Sequence, residues 1–551
     1  MKNERTRRAS FPLFALLLVA FAGALATPAE AQTAKLGKKY YEDRFNGFRF
    51  KYPDGWMPVP VQETMAPLGM LAKMEGFSLS TKIEALSAVY DTTPSLQVIE
   101  LRDRLVDAVS GEDSGGLKGR VTTEKGRQDL GGLLKLLYGH FRDFDISEPE
   151  ADEETKIKKL DVHHRTWTAF TGDYDITLDT YTFRLPDRDI ALVFDVATQH
   201  EKKWTKVFSK VAKTFELMER EQAMSLGKKA TYEEVLAYHE QEASRTPGWR
   251  VVRTPSERFV IKTSSDNDRF IDNVIDRLEA SRDLFEKEFP PDKPIDHVSV
   301  VRVCADEEEF HSYGGTGGGT AGWFNPSTTE LVLFDFVEYN RNFTYAVMTH
   351  EAFHQYCHFL FAQSEAHRWF DEGHGDYYGG VKFTGRRAEV TPKMPAGLER
   401  LTGAKELVKT GQYKPLAEHL NYSHSQWQNQ GPSNVSCYEQ SWSIIYMLRQ
   451  GMEGKVPSKI WKDEYAHIIP DYIAALKNGF LEAYDELRKE REEDAKKAGH
   501  ELTPEELAIN RFDLSLTRKK KIWKDAMAAS WGQIDLDEFE ENWLTYVDKY
   551  L

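Results

Sequence analysis

His350-Glu351-Ala352-Phe353-His354 decides the reading of this chain. The stretch around it reads as helix. At 3.6 residues per turn, positions i and i+4 stand one above the other on a single face. Both imidazoles can therefore reach one metal ion, and the glutamate beside the first can hold the water that such an ion activates. The same five residues also arise by chance in long proteins, so their weight depends on what surrounds them.

Two histidines do not complete a catalytic zinc centre, which uses three protein ligands and leaves the fourth position to water. The third candidate lies in Trp369-Phe370-Asp371-Glu372-Gly373-His374-Gly375-Asp376-Tyr377-Tyr378. The chain between His354 and Glu372 is long enough to finish one helix, turn, and bring a second back antiparallel. Glu372 can then present its carboxylate beside the two imidazoles. Asp376, one turn on, shares that face and is placed to accept the other ring N–H of a ligating histidine. His358 continues the series, but each four-residue step rises about 6 Å, so three histidines on one straight helix cannot share an ion. It is expected to back the ligands or face solvent. His367 and His374 are expected to be partly exposed. Leu360 occupies the position where the elongated metzincin pattern needs a third histidine, so that pattern fails.

On these residues the chain resembles the gluzincins, zinc metallopeptidases with two histidines and a distal glutamate. The resemblance implies His350, His354 and Glu372 as ligands of one catalytic Zn2+, Glu351 as general base and Asp376 as the supporting aspartate. The Trp369-Phe370-x-Glu372-Gly373-x-x-x-Tyr377 context is similar to a group of exported bacterial proteins assigned to that clan. The likeness covers roughly residues 250–551. It departs at Gly375, where many relatives have alanine, and His374 adds a further imidazole. Peptide-bond hydrolysis is the implied activity. No Gly-x-Met-Glu-Asn segment precedes the site to hold a free amine, which favours an endopeptidase over an aminopeptidase. The donor that would stabilise an oxyanion stays open among Tyr438, Tyr377, Tyr378 and His424.

A length of 551 residues predicts several domains. The first is a leader. Lys2, Arg5, Arg7 and Arg8 precede an apolar run from Phe11 to Ala26, and Ala29-Glu30-Ala31 offers small residues for cleavage, so residues 1–31 read as a signal peptide. The run contains Pro12 and Gly23 and is short of the roughly 20 residues a membrane span needs. An exported chain is expected, periplasmic or extracellular, with no span after cleavage. The net charge of −16 argues against a nucleic-acid partner, since no face-wide basic excess is available for phosphates. Arg518-Lys519-Lys520-Lys521 reads as a solvated helix face. With 3 cysteines, Cys304, Cys357 and Cys437, at least one thiol is unpaired in a single chain, and one disulfide is left open.

Residues 38–222 read as an α/β domain. Phe45 to Pro53 alternates apolar and polar residues as a strand, and Asp54-Gly55-Trp56 turns the chain and buries an aromatic. Tyr174 to Phe183 and Ile190 to Ala197 form a strand pair, followed by an amphipathic helix from Lys203 to Phe215. The opening strand with its Pro-x-x-Trp, together with this closing strand pair and helix, resembles the PsbP-like domain, whose members are small accessory or binding modules. The acidic stretch Glu148 to Glu154 is expected to be an exposed loop, and His163-His164 a surface pair. Residues 223–247 read as a helical connector. Residues 248–551 read as the metallopeptidase-like domain: a mixed sheet with active-site helices, then a mostly helical C-terminal part, α+β overall. Within it, Gly314 to Gly319 lacks the lysine of a phosphate loop and reads as a flexible loop. Ala321 to Phe336 reads as a hairpin beside the metal helix, where an extended peptide can add as a strand. The competing function is an extracytoplasmic binding or assembly protein whose metal site is structural or inactive.

Overall fold

The computed structural model describes residues 34–551 except 63–64, 66–67, 77–80, 86–87, 111–119, 139–144, 147, 172–173, 227–229, 315–320, 327, 337–340, 385–386, 393–398, 424–425, 428–434, 500–501 and 503–512. The leader, most of the glycine-rich loop and His424 therefore lie outside the described residues.

The first unit is built from antiparallel strands. β1 (Leu36–Asp43) pairs with β2 (Phe48–Pro53). The chain reverses between them at Gly47, whose φ of 68° favours a residue without a Cβ. The main sheet comprises β3 (Met57–Val59), β4 (Met70–Glu75), β5 (Ser95–Leu101), β6 (Asp145–Ile146), β7 (Ala151–Ile157), β8 (Leu160–Phe170), β9 (Asp175–Arg184) and β10 (Asp189–Ala197). Its order is β6-β8-β9-β10-β5-β4-β3, with β7 added to β8. Helix α1 (Leu130–Leu137) covers one face through Leu130, Leu133, Leu134 and Leu137. Helix α2 (Glu201–Thr214) covers the other through Trp204, Val207, Phe208 and Val211, against Trp56 and Phe194. With both faces covered, the central strands β9 and β10 are buried almost end to end.

The acidic stretch is not all loop. From Ala151 it is β7, with Asp152 opposite Arg165, Glu153 opposite His164 and Glu154 opposite His163. The charge of Arg165 and the hydrogen-bonding rings of the two histidines, set opposite these carboxylates, substitute for the apolar contacts the strand lacks. The two histidines accordingly divide. His163 pairs with Asp152, while half-buried His164 reaches Asp179 at 2.7 Å and stacks on Tyr181.

Among the described residues of the connector, only α3 (Tyr232–Ala243) is helical. A capping box fixes its start, with Thr231 accepting from the Glu234 amide and Glu234 from the Thr231 amide. A second sheet follows, from β11 (Arg250–Arg253), β12 (Phe259–Thr263), β13 (Ser299–Cys304), β14 (Gly322–Asn325) and β15 (Glu330–Phe334). Its order is β11-β12-β13-β15-β14, with the three middle strands parallel and β14 antiparallel at the edge. One face packs on α4 (Asp268–Glu288) and α6 (Arg341–Leu360), through Ile261, Val301 and Leu333 against Phe270, Met348 and Phe353. The other face carries a buried charge cluster. Lys262 and Arg302 both contact Glu330 and also Glu242 of α3, and Tyr313 at the end of α5 (Glu307–Tyr313) donates to Glu330.

The rest is mostly helical: α7 (Arg368–Gly379), α8 (Arg400–Thr410), α9 (Val435–Met452), α10 (Ile468–Ala498), α11 (Leu516–Ala529) and α12 (Leu536–Lys549), with short elements between, among them a two-stranded antiparallel sheet of Val381–Thr384 and Arg387–Val390. One hydrophobic cluster runs from the sheet through these helices and includes Trp369, Trp442 and Trp543. Among the described residues no helix is long and apolar enough to cross a membrane. All three cysteines are buried free thiols. The disulfide that the count left open is not made, because Cys304, Cys357 and Cys437 sit in three separate core clusters.

Candidate metal centre

Helix α6 presents His350, Glu351 and His354 to a cavity of about 260 Å³. The helix ends through a tight turn in which Ala362 and Gln363 take positive φ, 51° and 62°. The chain then re-enters helix at His367. The Tyr472 hydroxyl locks that entry, accepting the His367 backbone N–H at 2.8 Å and lying 2.9 Å from its Nδ1. Helix α7 returns alongside α6 and carries Glu372 to the two histidines.

Two glycines let α7 come this close. A Cβ on Gly375 would stand 2.9 Å from three atoms of the His350 ring. A Cβ on Gly373 would meet Ile445 Cγ1 at 2.7 Å and the Ser441 carbonyl at 3.0 Å on α9. Glycine inside a helix costs roughly 1 kcal/mol relative to alanine. Here it permits approach on two sides of α7.

One donor atom from each of His350, His354 and Glu372 falls within 4.8 Å of the others. Glu372 Oε2 is 3.2 Å from His350 Nε2 and 3.5 Å from His354 Nε2. Its Oε1 accepts from Arg368 Nη1 at 2.7 Å, which leaves Oε2 as the oxygen facing the rings. The opposite edge of each ring also meets a carboxylate. His350 Nδ1 is 3.2 Å from Asp376 Oδ1, and His354 Nδ1 is 2.9 Å from Asp371 Oδ1. Arg400 of α8 anchors Asp376 from behind at 2.6 Å. Such partners select the tautomer in which Nε2 is left as the ligating nitrogen. Two imidazole nitrogens, one carboxylate oxygen and an open cavity suit zinc in the number and kind of donors.

The electrostatics follow from burial. Desolvation drives the Glu372 carboxyl upward, but the charge of His354 and the hydrogen bonds from both rings outweigh it and hold the group well below the carboxylate range. Burial pushes His350 down, yet the bonds to Asp376 and Glu372 carry it up to about 9. His354 moves upward too, the charges of Asp371 and Glu372 overcoming desolvation. Glu351 is raised chiefly by burial. Its Oε2 accepts the Phe324 amide at 2.9 Å, so the edge strand β14 is fastened to the site by the glutamate itself.

Other expectations are corrected here. His374 is not exposed. Its side chain is fully buried among Phe289, Phe353, Phe370 and Tyr378, with Nδ1 bonded to the Phe370 carbonyl, and burial drives it down to about 3. His367 keeps the partial exposure expected of it, but its ring faces Tyr472, and burial lowers it to about 4. His358 is buried, lies along the cavity wall and meets the Phe324 ring. Of the tyrosines, Tyr378 donates to Glu288 and Tyr377 packs on Tyr446, whereas Tyr438 of α9 lines the cavity. The negative charge of Glu372, together with burial, raises the Tyr438 phenol and keeps it a proton donor. Asp371, Arg368 and Arg400 were not singled out from the sequence. Asp371 and Arg368 flank Glu372 in the same helix, a signal that was available; Arg400 comes from a separate helix.

No family model matches this chain, and no curated protein matches it. Among solved structures it is similar to the solution structure of cyanobacterial PsbP (CyanoP) from Synechocystis sp. PCC 6803, at 18% identity over 35% of this chain and 99% of that one, with a TM-score of 0.23.

Proposed function

We propose that this chain is an exported zinc-dependent metallopeptidase of gluzincin type, working in the periplasm or outside the cell, with a PsbP-like N-terminal domain. The observation that carries this reading is the convergence of His350, His354 and Glu372 within 4.8 Å, with Glu351 on the wall of the same cavity. His350 Nε2, His354 Nε2 and Glu372 Oε2 would hold one Zn2+. Bound there, zinc would supply the positive charge that acidifies water to a pKa of about 7 and polarises a carbonyl.

The protein's own groups supply the rest. Glu351, raised by burial, takes a proton from the attacking water and passes it to the amine nitrogen as the C–N bond breaks. Tyr438, a phenol on the cavity wall, donates a hydrogen bond to the developing oxyanion. The edge strand β14 offers main-chain groups to an extended peptide, and its Phe324 amide releases Glu351 when the substrate strand arrives. An endopeptidase fits better than an aminopeptidase.

The test is direct. Residues 32–551 are expressed, bound zinc is measured, and a mixed peptide library is digested with wild type and Glu351→Gln. One zinc per chain, cleavage by wild type and loss of cleavage with zinc retained in the variant are expected. Zinc without cleavage in wild type moves the assignment to a binding or assembly protein with an inactive site. Absence of zinc refutes both.

A further inference from the structure

A second cavity, of about 410 Å³, lies between the N-terminal unit and the connector helix α3. Its size is that of a small-molecule site, which commonly spans about 300–1,000 Å³. Much of its wall is apolar, supplied by Tyr41, Phe45, Val59, Val61 and Met70. Four charged side chains join them: Glu100, Arg102, Glu242 and Arg245.

The two carboxylates are already neutralised. Glu100 is held by buried Arg188 at 2.7 Å and by Arg102 at 2.6 Å. Glu242 is held by Lys262 at 2.7 Å and Arg302 at 3.4 Å. Arg245 differs. No carboxylate among the described residues pairs with its guanidinium, and its buried Nε has no hydrogen-bond partner. Its charge rests instead on the Phe45 ring, 5.0 Å from the centroid, and is felt at the Tyr41 phenol. A guanidinium carries five N–H donors, and a stacked one keeps its edges available. The cavity thus joins an apolar wall to a cation lacking an anion.

We propose that this interdomain cavity binds a small amphipathic carboxylate, its head on Arg245 and its apolar body against Tyr41, Phe45 and Met70. The site is independent of the metal centre and does not rest on the peptidase reading.

Octanoate is the probe, titrated calorimetrically into the full chain, with 1-octanol as its neutral counterpart. One octanoate per chain is expected, binding at least tenfold more tightly than octanol. Arg245→Met, which keeps length and stacking, should lose that tenfold preference, and Arg245→Lys should keep most of it. Binding should persist after EDTA treatment, which separates this site from carboxylate capture by a metal. Equal binding of octanol and octanoate to wild type overturns the proposal without any variant. So does an octanoate affinity unchanged in a folded Arg245→Met protein, or its loss on metal removal.

Discussion

Asp371 Oδ1 lies 2.9 Å from Nδ1 of His354, while Asp376 holds the same ring position of His350 at 3.2 Å. Each candidate ligand ring is thus oriented by its own carboxylate, and both carboxylates come from α7, the helix that also supplies Glu372. Three functions are concentrated on little more than one turn.

Replacing Asp371 by alanine frees the His354 ring to rotate and to adopt the other tautomer. Loss of such a partner typically costs 10–100-fold in metal affinity. Zinc affinity, measured by competition with a chromogenic chelator, should fall within that range. The fold should survive, because Asp371 is only half-buried.

Gly375 and Gly373 should fail differently when changed to alanine. At Gly375 the added methyl meets the His350 ring, so zinc affinity should fall at least tenfold while α7 gains helix propensity. At Gly373 it meets Ile445 and the α9 backbone, so stability should drop by about 1–3 kcal/mol with a smaller effect on zinc. Urea unfolding and chelator competition on both variants read the two effects separately.

These contrasts show what was readable beforehand. The i,i+4 histidines and the four-residue step from Glu372 to Asp376 follow from helical periodicity, and so does the α6–α7 hairpin that brings them together. Asp371 is not legible in this way, because its neighbour Glu372 points about 100° away around the helix. That rule sees one helix, whereas His354 lies one turn along a second helix packed against it. Arg400 belongs to a helix remote in sequence, and no periodicity announces a tertiary contact; Tyr438 is a candidate from the sequence, but only the fold separates it from Tyr377 and Tyr378. The acidic strand β7 misled for a related reason: its partners, His163, His164 and Arg165, lie across a turn, where only pairing reveals the charge match.

Metal and protons should compete for the two histidines. Without metal, His350 is raised to about 9 and His354 is raised as well, so both rings are protonated at pH 7. Zinc needs them neutral, so its binding should release about two protons at pH 7, and fewer as pH passes 9. Calorimetry in buffers of different ionisation enthalpy counts them. In the metal-free protein the sign is that of raised histidines: their stabilisation is complete below the unfolded pKa of about 6.5 and is lost as pH rises through about 9.

Acid acts in the opposite direction on three neutral histidines, His374 and His419 fully buried and His367 half-buried. Burial lowers His374 and His419 to about 3 and His367 to about 4. Their stabilisation is present above about pH 6.5 and is lost as pH falls toward those values, because only the unfolded chain takes up the protons. At pH 5 each should cost about 2 kcal/mol relative to pH 7. Urea unfolding at the two pH values should show this loss, and His419→Gln should reduce it by one histidine's share.

Tyr438 is the residue whose removal separates chemistry from architecture. It lines the cavity together with Glu372, whose charge its phenol feels. Tyr438→Phe keeps the ring under the Arg400 guanidinium, 5.3 Å from its centroid in the native protein, and deletes only the hydroxyl. If the phenol donates to the oxyanion, kcat should fall by about 10²–10³ with KM nearly unchanged, the loss seen when one such donor is removed. Zinc content and melting temperature should not move. An unchanged kcat would exclude the phenol from the reaction, and a fall in zinc content would make Tyr438 a support of the ligand helix.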